Sequence, residues 1–132
     1  MKYVNIVAKY IFAIFLVASA IGTFNSIFTG QAMNFSTGYP EPAAQNFVAA
    51  VIETGWVLEF ISVVKLLSGV LILIPSKEKL GVIVAFPYST GMLFWGLLTA
   101  QSHLVIMIAI FVLNALLVIK NWQTYKPLVG AK

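Results

Sequence analysis

Four long apolar stretches constrain this chain more than any other feature of its sequence. They run roughly over residues 10–28, 56–74, 80–98 and 104–119. A helix needs about 20 predominantly apolar residues to cross a bilayer, and only helices or closed barrels satisfy their own backbone polar groups in lipid. The stretches therefore predict an all-α integral membrane four-helix bundle that forms a single domain over residues 1–132.

The low charge content supports lipid as the solvent of this chain. Charged residues make up 9% of the sequence and hydrophobic residues 61%, whereas a soluble domain carries about 25% charged residues. Lysines outnumber glutamates and give a net charge of +4. Because most of these lysines flank the apolar stretches, we expect the partner to be the lipid bilayer and not nucleic acid.

The positions of the lysines predict the orientation. Four spans place the N-terminus, the connection between the second and third stretches, and the C-terminus on one side of the membrane. These three places hold Lys2 and Lys9, Lys77 and Lys79, and Lys120, Lys126 and Lys132. The positive-inside rule then predicts a multi-pass protein of the bacterial cytoplasmic membrane with both termini in the cytoplasm. The first stretch also resembles a secretory signal peptide, but we expect it to be retained as a helix.

The long loop between the first two stretches contains a short amphipathic segment. Pro42 is suited to the first position of a helix, and Gly55 can end it. One face of this helix would be apolar, with Phe47, Val48, Val51 and Ile52. We therefore expect a short interfacial helix in the first outer loop, lying along the membrane surface.

Glu59 and Lys65 place opposite charges within the second apolar stretch, "WVLEFISVVKLLSGVLILI". On a helix they point about 120° apart with about 9 Å of rise between them, so they do not form a same-face pair. A charge at mid-bilayer costs at least roughly 2.5–3.5 kcal/mol, so we expect both to face the bundle interior. Alternatively, Glu59 reaches water at the outer interface and Lys65 belongs to a structural ion pair.

Other polar residues lie at matching depths along the predicted spans. Lys65 is level with the residues that follow Pro87 in the third span, and Glu59 is level with the outer end of the first. Together they predict a polar cavity that opens outward. The candidate ligand-binding or proton-pathway residues are Asn25, Glu59, Lys65, Tyr88, Ser89, Thr90 and His103. For the serine and threonine residues, bonding to helix backbone is the structural alternative.

Several kinds of chemistry have no residues to support them. The chain has no cysteine, one histidine and no aspartate, so we predict no metal site and no catalytic residue. Glycines at Gly69, Gly91 and Gly96 are predicted to permit close contact between helices.

Motifs spread over most of the chain resemble the DoxX family of small four-helix bacterial membrane proteins. They are "FLVASAIGTFN", "PAAQNFVAAVIETGW", "VVKLLSGVLILI", "AFPYSTGMLFWGLL" and "NWQTYKPLV". Lys65 stands where that family usually has a glutamate, and Trp95 where histidine is frequent. The resemblance implies a four-helix fold, a bacterial membrane location and association with redox or respiratory complexes.

Two functional hypotheses follow from the residues and the resemblance. The first is a non-catalytic subunit or accessory protein, which either associates with a redox or envelope complex through a membrane protein partner or a second copy, or binds a quinone-like lipophilic ligand near Glu59 and Lys65. The alternative is a small proton-coupled transporter or carrier that uses the membrane-embedded Glu59 and Lys65. In a third, purely structural reading, both charges stabilise packing.

Overall fold

The computed structural model describes residues 2–130 as helices joined by short turns, with no strand in that range. The α-helices are α1 (Lys2–Phe28), α2 (Asn34–Thr37), α3 (Pro42–Glu53), α4 (Val57–Leu73), α5 (Glu78–Leu98), α6 (Leu104–Lys120) and α7 (Trp122–Tyr125). Short 3₁₀ turns precede α5 and α6 and follow α7. The predicted all-α class is confirmed, and each predicted apolar stretch corresponds to one long helix.

Within the described part of the chain, three helical segments are long and apolar enough to cross a membrane: Lys2–Phe28, Pro75–Leu98 and Gln101–Lys120. The fourth long helix, α4, has 17 residues. It meets the same criterion only together with α3, from which it is bent by 90°. These lengths and compositions indicate a membrane protein.

The bend between α3 and α4 has a local cause in the sequence. Pro42 occupies the start of α3, as predicted. Gly55 has a φ of +81°, which a residue with a side chain rarely adopts. The Thr54 hydroxyl then accepts a hydrogen bond from the backbone N–H of Val57 at 3.2 Å. Because α4 begins at Val57, Glu59 lies in its first turn, where a negative charge interacts favourably with the helix dipole.

The four long helices form a ring of contacts in which α1 and α5 each pack against both α4 and α6. Small residues set the closest approaches. A Cβ on Gly69 would lie 2.7 Å from the Val17 side chain of α1, and one on Gly96 would lie 3.0 Å from Met107 of α6. The prediction of close contact is thus confirmed for Gly69 and Gly96. It is wrong for Gly91, where a Cβ would meet no atom within 4 Å.

Packing differs between the two ends of the ring. The lysine end, defined by Lys9, Glu78 and Lys120, adjoins a solid core. Side chains in that half of the helices are fully buried, among them Phe12, Leu16, Ile72, Val82 and Leu117. The opposite end, which we call the aromatic end, is defined by Tyr39, Trp95 and His103. The helices there enclose a void instead of a packed core.

Candidate functional site

A cavity of about 280 Å³ lies at the aromatic end, bordered by all four long helices and by the α2–α3 segment. Its volume is near the lower end of the range of small-molecule pockets, roughly 300–1,000 Å³. Most of its wall is aliphatic, aromatic or thioether surface. The polar side chains among the lining residues are Ser19, Thr23, Tyr39, Lys65, Tyr88 and Trp95.

Lys65 is the only charged residue that lines the cavity within the described part of the chain. Lys65 is buried, with 7% of its surface exposed. Its Nζ donates a hydrogen bond to Ser19 Oγ of α1 at 2.9 Å and lies 5.8 Å from the centroid of the Tyr88 ring. Within residues 2–130, no carboxylate oxygen lies within 4.0 Å of Lys65 Nζ. The cavity therefore holds a buried amine without an anionic partner.

The helical period places Lys65 on the inner face of α4. Ser62, Ser68 and Ile72, at three, three and seven residues from Lys65, are fully buried on that face. Ser62 and Ser68 donate hydrogen bonds to the carbonyls of Leu58 and Val64 in their own helix. These serines are thus satisfied locally, and Lys65 is the polar side chain of this face that reaches the cavity.

The walls opposite Lys65 are built by α5 and α6. Tyr88, Met92 and Trp95 follow one another at helical spacing on α5 and present one side to the cavity. Met107 and Ile110 of α6 close the same side. The two methionine thioethers make this apolar wall adaptable, because methionine side chains repack with little strain.

The α2–α3 segment covers the cavity. Tyr39 packs edge-to-face on Trp95 with ring centroids 5.6 Å apart, and Phe47 packs on the same ring at 5.1 Å. Phe47, Val48 and Val51 all line the cavity. The predicted apolar face of α3 is thus turned towards the cavity. Two of the lining residues, Phe47 and Ile106, are 56% and 52% exposed, so the cavity reaches the surface.

A polar contact ties this cover to the connection between α5 and α6. The Ser102 hydroxyl donates a hydrogen bond to Glu41 Oε1 at 2.6 Å and lies 2.9 Å from His103 Nδ1. The His103 ring also lies against Tyr39, with centroids 4.6 Å apart. His103 therefore stands at the rim and contacts the cover. It is not among the residues that line the cavity.

The structure brings together only part of the predicted polar set. Lys65 and Tyr88 share the cavity. Ser89 is buried and donates to Asn114 Oδ1 of α6, which joins α5 and α6 away from the cavity. The buried Thr90 hydroxyl oxygen has no hydrogen-bond partner among the residues that the structure describes. Neither Ser89 nor Thr90 lines the cavity.

Glu59 and Asn25 lie outside the cavity. Glu59 is half-buried in the first turn of α4. Asn25 is exposed and borders a shallow surface depression with Ile21, Phe24 and Phe28. The structure therefore separates these two residues from Lys65, although all three were predicted to contribute to one polar interior.

Sequence reasoning did not select Ser19, the direct partner of Lys65. Ser19 and Thr23 recur at helical spacing on α1 with Phe15, and all three line the cavity. Two hydroxyl residues one turn apart in an apolar span are a weak signal, because such residues commonly bond to their own helix. Thr23 does so, donating to the Ser19 carbonyl at 2.9 Å.

A second polar cluster, also missed from the sequence, lies at the lysine end. Glu78 accepts contacts from Lys9 Nζ at 3.0 Å, from Lys120 Nζ at 3.1 Å and from Asn121 Nδ2 at 3.2 Å. It joins α1, α5 and the end of α6. No local pattern signals such a cluster, because its members are far apart in sequence.

Tyr125 completes the lysine end. Its hydroxyl donates to the carbonyl of Lys79. Burial, together with the nearby charge of Glu78, raises the pKa of Tyr125 to about 12. The hydroxyl therefore stays protonated and keeps this hydrogen bond throughout the physiological pH range.

The described lining of the cavity can donate hydrogen bonds and can bury apolar surface. Within residues 2–130, its lining offers one amine, hydroxyl groups and apolar walls, without a carboxylate or imidazole to act as a general base beside a nucleophile. No group of three or more histidine, cysteine, aspartate or glutamate residues in the described range could hold a metal ion.

No family model, curated protein or solved structure matches the chain. The resemblance to the DoxX family accordingly stays a prediction from the sequence motifs.

Proposed function

We propose that this protein is a multi-pass membrane protein whose four long helices form a transmembrane bundle, and that it binds a small lipophilic molecule in the cavity at Lys65. The observation that carries the proposal is a single buried amine in the wall of a largely apolar, surface-connected cavity. Apolar walls with a few convergent polar groups are the usual composition of small-molecule sites.

The incomplete pairing of Lys65 supports a binding role over a purely structural one. In a structural site, each buried charge is paired with an opposite charge and its hydrogen-bonding groups have partners, as is the case for Glu78. Among the residues that the structure describes, Lys65 instead has one serine hydroxyl as its partner and adjoins a void. A ligand with a hydrogen-bond-accepting polar head and an apolar body, such as a quinone, would fill this void and satisfy the remaining N–H groups.

The arrangement of the ends supports one orientation of the chain, and the bacterial cytoplasmic membrane is the location that the DoxX resemblance implies. Lys9, Lys120 and the backbone of Lys79 meet at one end of the ring, so the lysine-bearing segments share one side. We place that side in the cytoplasm by the positive-inside rule. A role as a non-catalytic subunit or accessory protein of a redox or envelope complex rests on the DoxX resemblance.

A cavity-filling substitution tests the binding role. Ser19→Phe would place an aromatic ring in the cavity, whereas Ala18→Phe on the exposed side of α1 would leave it open. We expect a small lipophilic molecule to copurify with the wild-type protein and with Ala18→Phe, and to be absent from Ser19→Phe. The measurement is mass spectrometry of the organic extract of each protein, purified in the same detergent.

The same three proteins distinguish the alternatives. Equal retention of every extracted lipid by Ser19→Phe and Ala18→Phe would contradict the proposed site. A pH-dependent solute flux in proteoliposomes, blocked by Ser19→Phe but not by Ala18→Phe, would show instead that the cavity belongs to a proton-coupled carrier.

A further inference from the structure

The charge balance of the cavity constrains the head group of its ligand. A buried cation is ordinarily paired, because the loss of hydration is compensated only by an opposite charge with good hydrogen-bond geometry. Around Lys65, the described residues provide a neutral hydroxyl and an aromatic ring in place of a carboxylate. A neutral ligand would satisfy hydrogen bonds but leave the charge unbalanced, whereas an anionic ligand would do both.

The donors at the cavity surface match an anionic acceptor. An ammonium has three N–H donors, and only the Ser19 hydroxyl accepts from Lys65 within residues 2–130. Ser19 Oγ acts as an acceptor in that contact, so its own hydrogen is available to a ligand. Tyr88 also lines the cavity. The Lys65 ammonium and the Ser19 hydroxyl are two donor groups for the two oxygens of a carboxylate.

The rest of the cavity lining constrains the size and polarity of the ligand's body. Met92, Met107 and Ile110 form an apolar wall, and the volume of about 280 Å³ is small for a lipophilic site. This space suits one short alkyl chain or one ring system. It does not suit the two acyl chains of a phospholipid.

From this geometry we infer that the cavity is a site for a small lipophilic monocarboxylate, held by its carboxylate at Lys65 and Ser19 and covered by the α2–α3 segment. This inference rests on the proposed binding function and names the chemical class of the ligand. The carboxylate accepts hydrogen bonds from Lys65 Nζ and Ser19 Oγ, and the alkyl or aryl body packs between Met92 and Met107.

A matched pair of probes tests the charge requirement. Bromodecanoate and its methyl ester share an alkyl chain but differ in charge, and bromine quenches tryptophan fluorescence at short range. Trp95 lines the cavity, whereas Trp56 and Trp122 are exposed. Titrations therefore use the full chain with Trp56→Phe and Trp122→Phe in nanodiscs whose scaffold protein lacks tryptophan, so that Trp95 alone reports binding.

Lys65→Met and Lys77→Met form the matched variants, because Lys77 is an exposed lysine outside the cavity. We expect the acid to bind more tightly than the ester by on the order of tenfold, the scale of a hydrogen bond to a charged group. The preference should persist in Lys77→Met and disappear in Lys65→Met. Comparing the two variants in identical nanodiscs cancels the different partitioning of acid and ester into lipid.

Each other outcome has a defined meaning. Equal affinities for acid and ester in the unsubstituted cavity would overturn the carboxylate inference and leave the lipophilic site standing. Saturable quenching by neither probe would overturn both. A preference that survives in Lys65→Met would remove Lys65 from the site. If Lys65→Met does not yield a monodisperse helical protein, Ser19→Ala takes its place, and an acid preference there as large as that of the unsubstituted cavity would overturn the inference.

Discussion

At the scale of single residues, Lys65 and Glu78 show how differently two buried charges are held. They are the two charged residues that are buried within residues 2–130, with 7% and 8% of their surfaces exposed. Glu78 lies between two lysine amines and an asparagine amide, so its charge is balanced where it stands. Lys65 has no such balance. The first arrangement stabilises the fold, and the second is open to a ligand.

We predict that Glu78→Gln lowers the free energy of unfolding by about 1–3 kcal/mol, the usual effect of losing hydrogen bonds to a charged group. The substitution would leave the amines of Lys9 and Lys120 near each other without the carboxylate that holds them. The thermal unfolding midpoint in a mild detergent measures this effect. Glu53→Gln, at an exposed position of α3, is the matched control, and equal shifts in both variants would contradict a structural role for Glu78.

At the scale of elements, glycine positions decide how closely the helices approach. A Cβ on Gly81 of α5 would lie 2.7 Å from both the Ile72 nitrogen and the Ser68 carbonyl oxygen of α4. These are backbone atoms, so they cannot move aside as a flexible side chain would. Gly91 lies on the same helix with no atom within 4 Å of its would-be Cβ. One glycine is therefore required by packing and the other is not.

We predict opposite effects for alanine at these two positions. Gly81→Ala should separate α4 from α5 and lower the free energy of unfolding by about 1–3 kcal/mol, as overpacked cores do. Gly91→Ala should be neutral or stabilising by up to about 1 kcal/mol, because alanine favours helix over glycine. Thermal unfolding of both variants in one detergent compares them directly. A loss of stability in Gly91→Ala as large as that in Gly81→Ala would refute the packing argument.

The sequence was sufficient to predict where the helices lie along the chain, but it was not sufficient to predict the contacts between them. Apolar length predicted the long helices, and Pro42 predicted the start of α3. The prediction for Gly91 was wrong because a glycine in a helix carries no information about which face meets a neighbour. Matching depth along the spans placed Tyr88 and Lys65 together, but it also grouped Ser89 and Thr90 with them. Depth alone does not give the rotation of each helix about its axis, and that rotation turns Ser89 towards Asn114.

At the scale of the whole molecule, the two ends of the helix ring differ in packing and in charge. The core next to the lysine end is solid, and glycine contacts there hold α4 close to α1 and α5. At the aromatic end, bulky side chains such as Phe15, Tyr88 and Trp95 border a cavity that α3 covers. A solid half fixes the helix positions, so the other half can enclose a void without collapsing. Because the two ends differ, the orientation of the chain in the membrane determines from which side the cover over the cavity is reached.

We predict that the lysine end faces the cytoplasm and the aromatic end faces outward, and cysteine labelling tests this directly. The chain has no cysteine of its own, so single substitutions carry no background. Thr37→Cys and Gln101→Cys lie at exposed positions of the aromatic end, and Lys77→Cys and Thr124→Cys at exposed positions of the lysine end. In intact spheroplasts, a membrane-impermeant maleimide should label the first pair, and label the second pair only after permeabilisation. The reverse pattern would place the cover on the cytoplasmic side and contradict the charge rule for this chain. Labelling of all four positions without permeabilisation would show that the ring of helices does not span the bilayer.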